Sequence, residues 1–422
     1  MIKAFASKSD ISKRLVHLAV IAALLLWVLL SAGLFSVRAE DTENYEAAGT
    51  KSGSEEALDE YELKSKLEEE RRRWIGETDF SEWDGFLVER AGAEGSGDDL
   101  YAAELVERIA AYGFDDDPER IVPRLIDLVI PSLKATLNKL IGVLIISFLS
   151  IFCGIVFKGD GMQSPVATVL SCASVLCVTA VFSELCAVSI KACGNISSFC
   201  VLSAPPLAAL LIACGCSGSS AILVPKLPLL AGGISSLACK ILMPLLTASG
   251  VISVLSGISD MLKLSNAVKL IHKTVKWILG LASTVYSGVI LLGGLTAGAL
   301  DGIKLRSIKY AVGRLIPAAD GIVSGSIDAA ASGALIVKNA AGTAAIVILA
   351  IACLRPLLSV IGGMLAFRVY AAVCEPLSNG RSAEMLSSIA DTLSLMLACC
   401  ACAAAMLALT LAIIISIGGA VL

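Results

Sequence analysis

Residues Arg314–Gly342 read RLIPAADGIVSGSIDAAASGALIVKNAAG, and the fold turns on how this run is placed. Pro317 suits a first helical turn, where its missing N–H leaves nothing unpaired, and Asn339 with Gly342 suits a stop, so the spacing predicts one helix over Pro317–Lys338. At ~1.5 Å per residue such a helix is roughly as long as a bilayer core is thick. Two ridges at i,i+4 spacing run along it: a small one of Gly321, Gly325, Ala329 and Gly333, and a polar one of Asp320, Ser324, Asp328 and Ser332. Small ridges let two backbones approach closely inside a membrane, and an ionisable group at mid-depth must face protein or water, because lipid does not solvate it. The helix is therefore expected to be buried in a bundle, with its glycine seam against a neighbour. A soluble or interfacial helix with a solvated acidic face is the alternative reading of the same window.

Composition decides between them for the chain as a whole. Hydrophobic residues make up 56% of the 422 positions and charged residues only 17%, which selects an all-α, polytopic membrane protein. Charge is segregated. Residues 40–135 hold 27 Asp/Glu against 11 Lys/Arg, whereas residues 136–422 hold 9 against 17. An acidic soluble segment thus precedes a basic membrane segment, and a nucleic-acid partner for the acidic part is excluded on charge. All fourteen cysteines lie at or beyond Cys153, so no disulfide framework exists in the acidic part. Cys214-Gly-Cys216 and Cys399-Cys400-Ala-Cys402 sit among Ala, Leu and Ile, with His17 and His272 the only histidines, and read as small apolar packing residues rather than metal ligands.

In chain order, Lys3, Lys8, Lys13 and Arg14 precede an apolar run from Leu15 to Phe35 and then Val37-Arg38-Ala39, the order of a secretory signal peptide or signal anchor over residues 1–39. Residues 40–135 are then exported. Within them, 40–57 read as a disordered spacer, Leu58–Val88 as a charge-dense stretch in which Glu68–Glu70 face Arg71–Arg73 at i,i+3 on an exposed helix, and Ala91–Gly97 as a flexible break. Trp74, Phe80, Trp83 and Phe86 are expected to form a small core, with contact to a partner or the bilayer surface as the alternative. Asp117-Pro118 opens a helix leading to the membrane.

Apolar spans follow at Leu137–Phe157, Pro165–Ile190, Ile196–Ala213 and the Pro-interrupted Ala221–Leu255. Ile258–Lys276 and Ile303–Leu315 read as two basic amphipathic helices on the membrane surface. Trp277–Leu300 is a span ending in a Gly294-xxx-Gly298-xxx-Gly302 ladder, and Gly342–Val373 and Met385–Leu422 complete roughly seven to nine membrane segments over 136–422. No phosphate loop, nucleophile elbow or zinc spacing occurs, so neither an enzyme nor a cofactor is expected. The intramembrane ionisable residues, Glu184, Asp320, Asp328, Lys338, Arg355 and Arg368, read as a polar pathway or as buried ion pairs, the latter at Arg355 and Arg368. Glu184, near a helix end, is expected to reach the headgroups. Gly294, Gly298, Gly321, Gly325 and Gly333 are the candidate helix-packing positions.

The order of signal, acidic segment, apolar spans and basic amphipathic helices, and above all IPAADGIVSGSIDAAASGALIVKNAAG, resembles the stage III sporulation protein AE family of endospore-forming bacteria. The resemblance implies a subunit of the channel-like, secretion-related complex between mother cell and forespore, in the mother-cell membrane around the forespore, with residues 40–135 in the intermembrane space. It implies other stage III A proteins and the forespore protein Q as partners, besides membrane lipids, within an oligomer or hetero-complex. It supplies no catalytic residues. The reading from another class is a self-sufficient secondary transporter in which Asp320 and Asp328 bind a coupling cation.

Overall fold

The computed structural model describes residues 55–90, 101–112, 163–214, 232–258, 265–289, 320–374 and 381–416, with isolated positions between 134 and 152. The signal at 1–39, the spacer before 55, the break at 91–97, the Asp117-Pro118 helix, the span Leu137–Phe157 apart from those isolated positions, the Gly294–Gly302 ladder, the amphipathic run 303–315 and the helix start at Pro317 lie outside the described residues. Every regular element among the described residues is helical.

Three short helices carry the acidic segment: α1 (Glu55–Glu77), α2 (Ser81–Arg90) and α3 (Ala102–Tyr112). Helix α1 has the i,i+3 pair its sequence predicts, Arg73 to Glu70 at 3.8 Å, and a second one at i,i+4 that was not predicted, Arg73 to Glu77 at 2.9 Å. The Asp79 carboxylate accepts the Ser81 N–H at 2.9 Å at the start of α2, and Asp84 accepts the Ala102 N–H at the start of α3. Both satisfy N–H groups that the first helical turn leaves without partners.

The membrane part is built from long rods. Helix α4 runs from Gln163 to Leu202 without the gap expected at 191–195, because the polar residues there do not break a helix. The helical ladder is interrupted only at Ser203, whose backbone stays right-handed helical, and Pro205 and Pro206 lie in the first turn of α5 (Ala204–Ala213), where their missing donors do no harm. Next come α6 (Gly233–Leu237), a π segment (Ala238–Leu242) and α7 (Met243–Ile258), joined end to end. The wide π turns stand immediately before Pro244, whose ring would otherwise crowd the carbonyl of Lys240 one turn back. Helix α8 covers 265–289 and passes through Lys276-Trp277, so the surface helix and the following span expected from the sequence are one rod.

Helix α9 extends from Asp320 to Cys374, 55 residues or about 80 Å at 1.5 Å per residue. It runs straight through Asn339, Gly342 and Pro356, so the expected stop after Lys338 does not occur and Pro317–Lys338 and Gly342–Val373 are not separate segments. The reason is packing: a Cβ at Gly342 would overlap the Ile415 side chain, so this glycine is a close-approach point and not a terminus. Helix α10 (Arg381–Ser416) lies antiparallel to α9, with Lys338 beside Ile415 at one end and Arg368 beside Asp391 at the other. It is the central rod, touching α4, α7 and α9, and α8 through Ser283–Cys402 and Tyr286–Met406. Two more glycines set the spacing around it: side chains at Gly250 and Gly363 would overlap Phe182 and Leu185 of α4.

Four stretches are long and apolar enough to cross a membrane: Cys172–Ala213, Gly233–Ser256, Ser332–Cys374 and Ala383–Ile415. The protein is a multi-pass helical membrane protein.

Candidate functional site

One end of the bundle carries the acidic helices. Trp83 of α2 is fully buried, and its indole Nε1 donates to the carbonyl of Leu202, the last residue of α4, at 3.1 Å. Around it Phe80 lies edge-on at 5.3 Å between ring centroids, Phe199 of α4 at 5.8 Å, and Phe86 stacks obliquely on Phe199 at 4.9 Å. Three of the four aromatics expected to form a small core, Phe80, Trp83 and Phe86, do so with a ring from a membrane helix, while Trp74 is only partly buried and lies outside these ring contacts. Phe199, the aromatic nearest the end of its span, was the available signal for that partner.

Beside this anchor, α1 lies along the start of α9. A Cβ at Gly333 would stand 3.0 Å from the Glu70 Cβ and 3.6 Å from the Arg71 backbone nitrogen. Gly333, the one member of the expected glycine seam whose surroundings are described, meets the charged helix of the acidic segment and not another membrane rod. Small size still explains it, since only a hydrogen at that position lets a helix bearing Glu70 and Arg71 come so close. Glu70 Oε2, Arg71 Nε, Trp74 Nε1 and Asn339 Oδ1 are buried without hydrogen-bond partners among the described residues, although the Arg71 guanidinium reaches the Ala110 carbonyl at 3.4 Å. Asp79, on the exposed linker between α1 and α2, is held below the usual carboxylate range by hydrogen bonds from the Ser81 side chain and backbone.

Lys338 lies fully buried next to this end, with Nζ 3.2 Å from the Ile415 carbonyl. Ile415 belongs to the last turn of α10, whose carbonyls lack intrahelical donors and carry the negative end of the helix dipole. Lys338 therefore closes the C-terminus of α10, a role the sequence did not disclose because the partner is 77 residues away.

At the opposite end, Ser249 of α7, His272 of α8 and Thr392 of α10 meet, with Nε2 of His272 at 3.2 Å from Ser249 Oγ and 3.0 Å from Thr392 Oγ1. A Ser–His contact invites comparison with a nucleophile and its base. Here the Ser249 hydroxyl donates to the Leu246 carbonyl at 2.8 Å and both hydroxyl residues are fully buried, so the three side chains clasp helices together. His272 stands in the Lys-rich half of α8, before Trp277. Burial pushes its imidazole below the ordinary 6.5, the nearby Lys276 adds to this, and Asp391 opposes it.

The remaining sequence candidates are dispersed. Asp320, Gly321, Gly325 and Asp328 occupy the first turns of α9, with side chains outside the described residues, and Gly294 and Gly298 lie outside them altogether. Glu184 is exposed on the middle turns of α4, not near a helix end. Arg368 pairs with the exposed Asp391 at 3.5 Å and is itself about one-third exposed, while Arg355 is exposed and forms no ion pair among the described residues, so neither is the buried pair expected there. Between the two ends Cys193, Cys399 and Cys400 are buried in the apolar core, with Cys400 Sγ 3.4 Å from the Ser189 carbonyl and Cys193 Sγ 3.9 Å from that of Ser235, whereas Cys172 is exposed and Cys216 lies outside the described residues. Among the described residues no three His, Cys, Asp or Glu side chains converge as metal ligands would.

Comparison with known proteins agrees with this layout. The family profile described as "Stage III sporulation protein AE (spore_III_AE)" matches residues 101–418. A curated relative, the "Stage III sporulation protein AE" of Bacillus subtilis (strain 168), is 27% identical over 399 residues, covering 93% of this chain and 97% of the relative. No solved structure matches. With the match running from the third acidic helix through the last membrane rod, the chain belongs to the stage III sporulation protein AE family.

Proposed function

We propose that the chain is a membrane subunit of the channel-like, secretion-related complex linking mother cell and forespore, needed for forespore development. On this reading it resides in the mother-cell membrane, its acidic helices lie in the intermembrane space, and the other stage III A proteins and the forespore protein Q are its partners. It performs no catalysis. The observation that carries the reading is the anchoring of α1–α3 onto the ends of α4 and α9 through Trp83 and Gly333. A polar module fixed to a bundle end offers its outer faces to partners in the adjoining compartment while the rods hold it in place.

The test is co-purification of a tagged chain from sporulating cells. The stage III A proteins should come down with the wild type, and Gly333→Leu, which drives a side chain into Glu70 and the Arg71 backbone, should lose them while the chain remains in the membrane. Asp328→Asn should leave the complex intact. If the purified chain alone moves solutes in vesicles and Asp328→Asn stops it, the subunit reading is wrong and the carrier reading replaces it.

A further inference from the structure

Three basic side chains form a level that nothing in the described structure covers. Lys191 of α4, Lys240 of the π segment and Arg355 of α9 are all exposed, and none has an ion-pair or hydrogen-bond partner among the described residues. Their common height follows from the packing around them. Cys239 Sγ stands 4.0 Å from the Ile190 carbonyl, which puts Lys240 level with Lys191. Helices α4 and α9 run antiparallel with Leu185 against Gly363, so six residues along α4 to Lys191 and eight residues along α9 to Arg355 arrive within ~3 Å of the same height. The π segment, α4 and α9 are successive neighbours, with α4 touching both.

That height is the middle of the bundle. Arg355 lies 17 residues from Lys338 at one end and 13 from Arg368 at the other, ~25 Å and ~20 Å along α9. Cations at mid-depth are not solvated by acyl chains and need protein or water against them. No carboxylate of the described residues answers them. Its apolar runs 137–157, 221–231 and 290–300 contain no Asp or Glu. A second copy in the same orientation brings cation to cation at this height, and its nearest carboxylate on the described rods, Glu184, is seven residues down α4 and already engaged.

The geometry points to the outer face of the π segment, α4 and α9 as a docking surface for a transmembrane helix of another protein that carries a carboxylate at mid-membrane, paired with Lys191, Lys240 and Arg355. This inference stands on charge layout alone, and neither the complex nor its members need be those proposed above.

The probe is a synthetic Leu/Ala transmembrane helix with one central Glu, co-reconstituted with the full chain in phosphatidylcholine vesicles and followed by energy transfer. The same helix with Gln is the control. The Glu helix should associate about tenfold more tightly than the Gln helix, the scale of one interhelical polar contact in a membrane. The Lys191→Gln, Lys240→Gln, Arg355→Gln triple variant should abolish that difference with an unchanged melting midpoint, since the three side chains point outward. Lys191→Glu with Arg355→Glu should instead select a Lys-centred helix, a readout that misfolding does not produce. Equal binding of the two probes, or a triple variant that still prefers Glu, overturns the inference. So does wild-type self-association lost in the triple variant, which makes a second copy the occupant. A charged thiol reagent reaching Lys191→Cys or Arg355→Cys in an otherwise cysteine-free chain in sealed vesicles also overturns it, since the face is then lined by water.

Discussion

Trp83→Ala is the sharpest perturbation of the anchored end. The indole is fully buried between α2 and α4, and its Nε1 donates to Leu202 at 3.1 Å. A buried Trp removes ~150–250 Å² from water, which at ~25 cal/mol per Å² corresponds to ~4–6 kcal/mol, and measured Trp→Ala losses in cores are about 3–5 kcal/mol. Because the residue joins the acidic helices to the rods and does not lie among the rods, this loss falls on docking. At 1.4 kcal/mol per decade, 3–5 kcal/mol raises the opening constant of α1–α3 by about two to three and a half orders of magnitude. Amide exchange by mass spectrometry should show that acceleration in peptides spanning α1–α3, with those from α10 unchanged. Trp83→Phe keeps most of the apolar area and loses the hydrogen bond, so it should cost only about 1–2 kcal/mol. The reasoning is refuted if the Ala variant leaves α1–α3 exchange at wild-type rates, or if α10 accelerates by the same factor, which would mean the cluster supports the whole bundle.

Other outcomes follow from the packing. Gly342→Leu forces a side chain into Ile415 and should lower the thermal midpoint in detergent by the equivalent of about 1–3 kcal/mol, with Ile415→Ala in the same chain recovering part of the loss. Lys338→Glu puts a carboxylate against the last carbonyls of α10 and should cost about 3–5 kcal/mol, read as loss of monodisperse protein on size exclusion, whereas Lys338→Met should be much milder. For His272 the folded state holds the imidazole below the 6.5 of the free side chain, so the unfolded chain takes up the proton first. The contribution is therefore complete above pH 6.5 and is lost as pH falls through the lower, folded value, so the wild-type melting midpoint should drop on acidification below 6.5, while a His272→Asn chain, keeping a polar contact to Thr392 without a titrating ring, should show a flatter profile.

Reading the chain from its residues succeeded where the signal was local. The i,i+3 pairing of Glu70 with Arg73, the aromatic core around Trp83 and the apolar rods all follow from spacing within a few turns. It failed where a distant partner decided the outcome. Asn339 and Gly342 carry stop signals in isolation, yet Ile415 turns Gly342 into a crossing point, and Lys276-Trp277 marks a change of composition that the helix ignores. The contact of Lys338 with the Ile415 carbonyl is one that no sequence pattern announces, because its acceptor is a backbone group 77 residues away. Gly333 was identified as a contact position, but its neighbour was sought among the apolar segments, whereas it belongs to the most charged helix of the chain.

The anchoring of α1 and α2 also imposes an order on biogenesis. Trp83 finds its acceptor 119 residues later in the chain, and Glu70 must wait for Gly333, more than two hundred residues further on. The acidic helices therefore leave the ribosome long before the rod they rest on has been made, and they spend that interval unsheltered, as contacts of long sequence separation always form late. Proteases or chaperones that meet the nascent chain will encounter this segment undocked, and its survival depends on how quickly α4 and then α9 arrive.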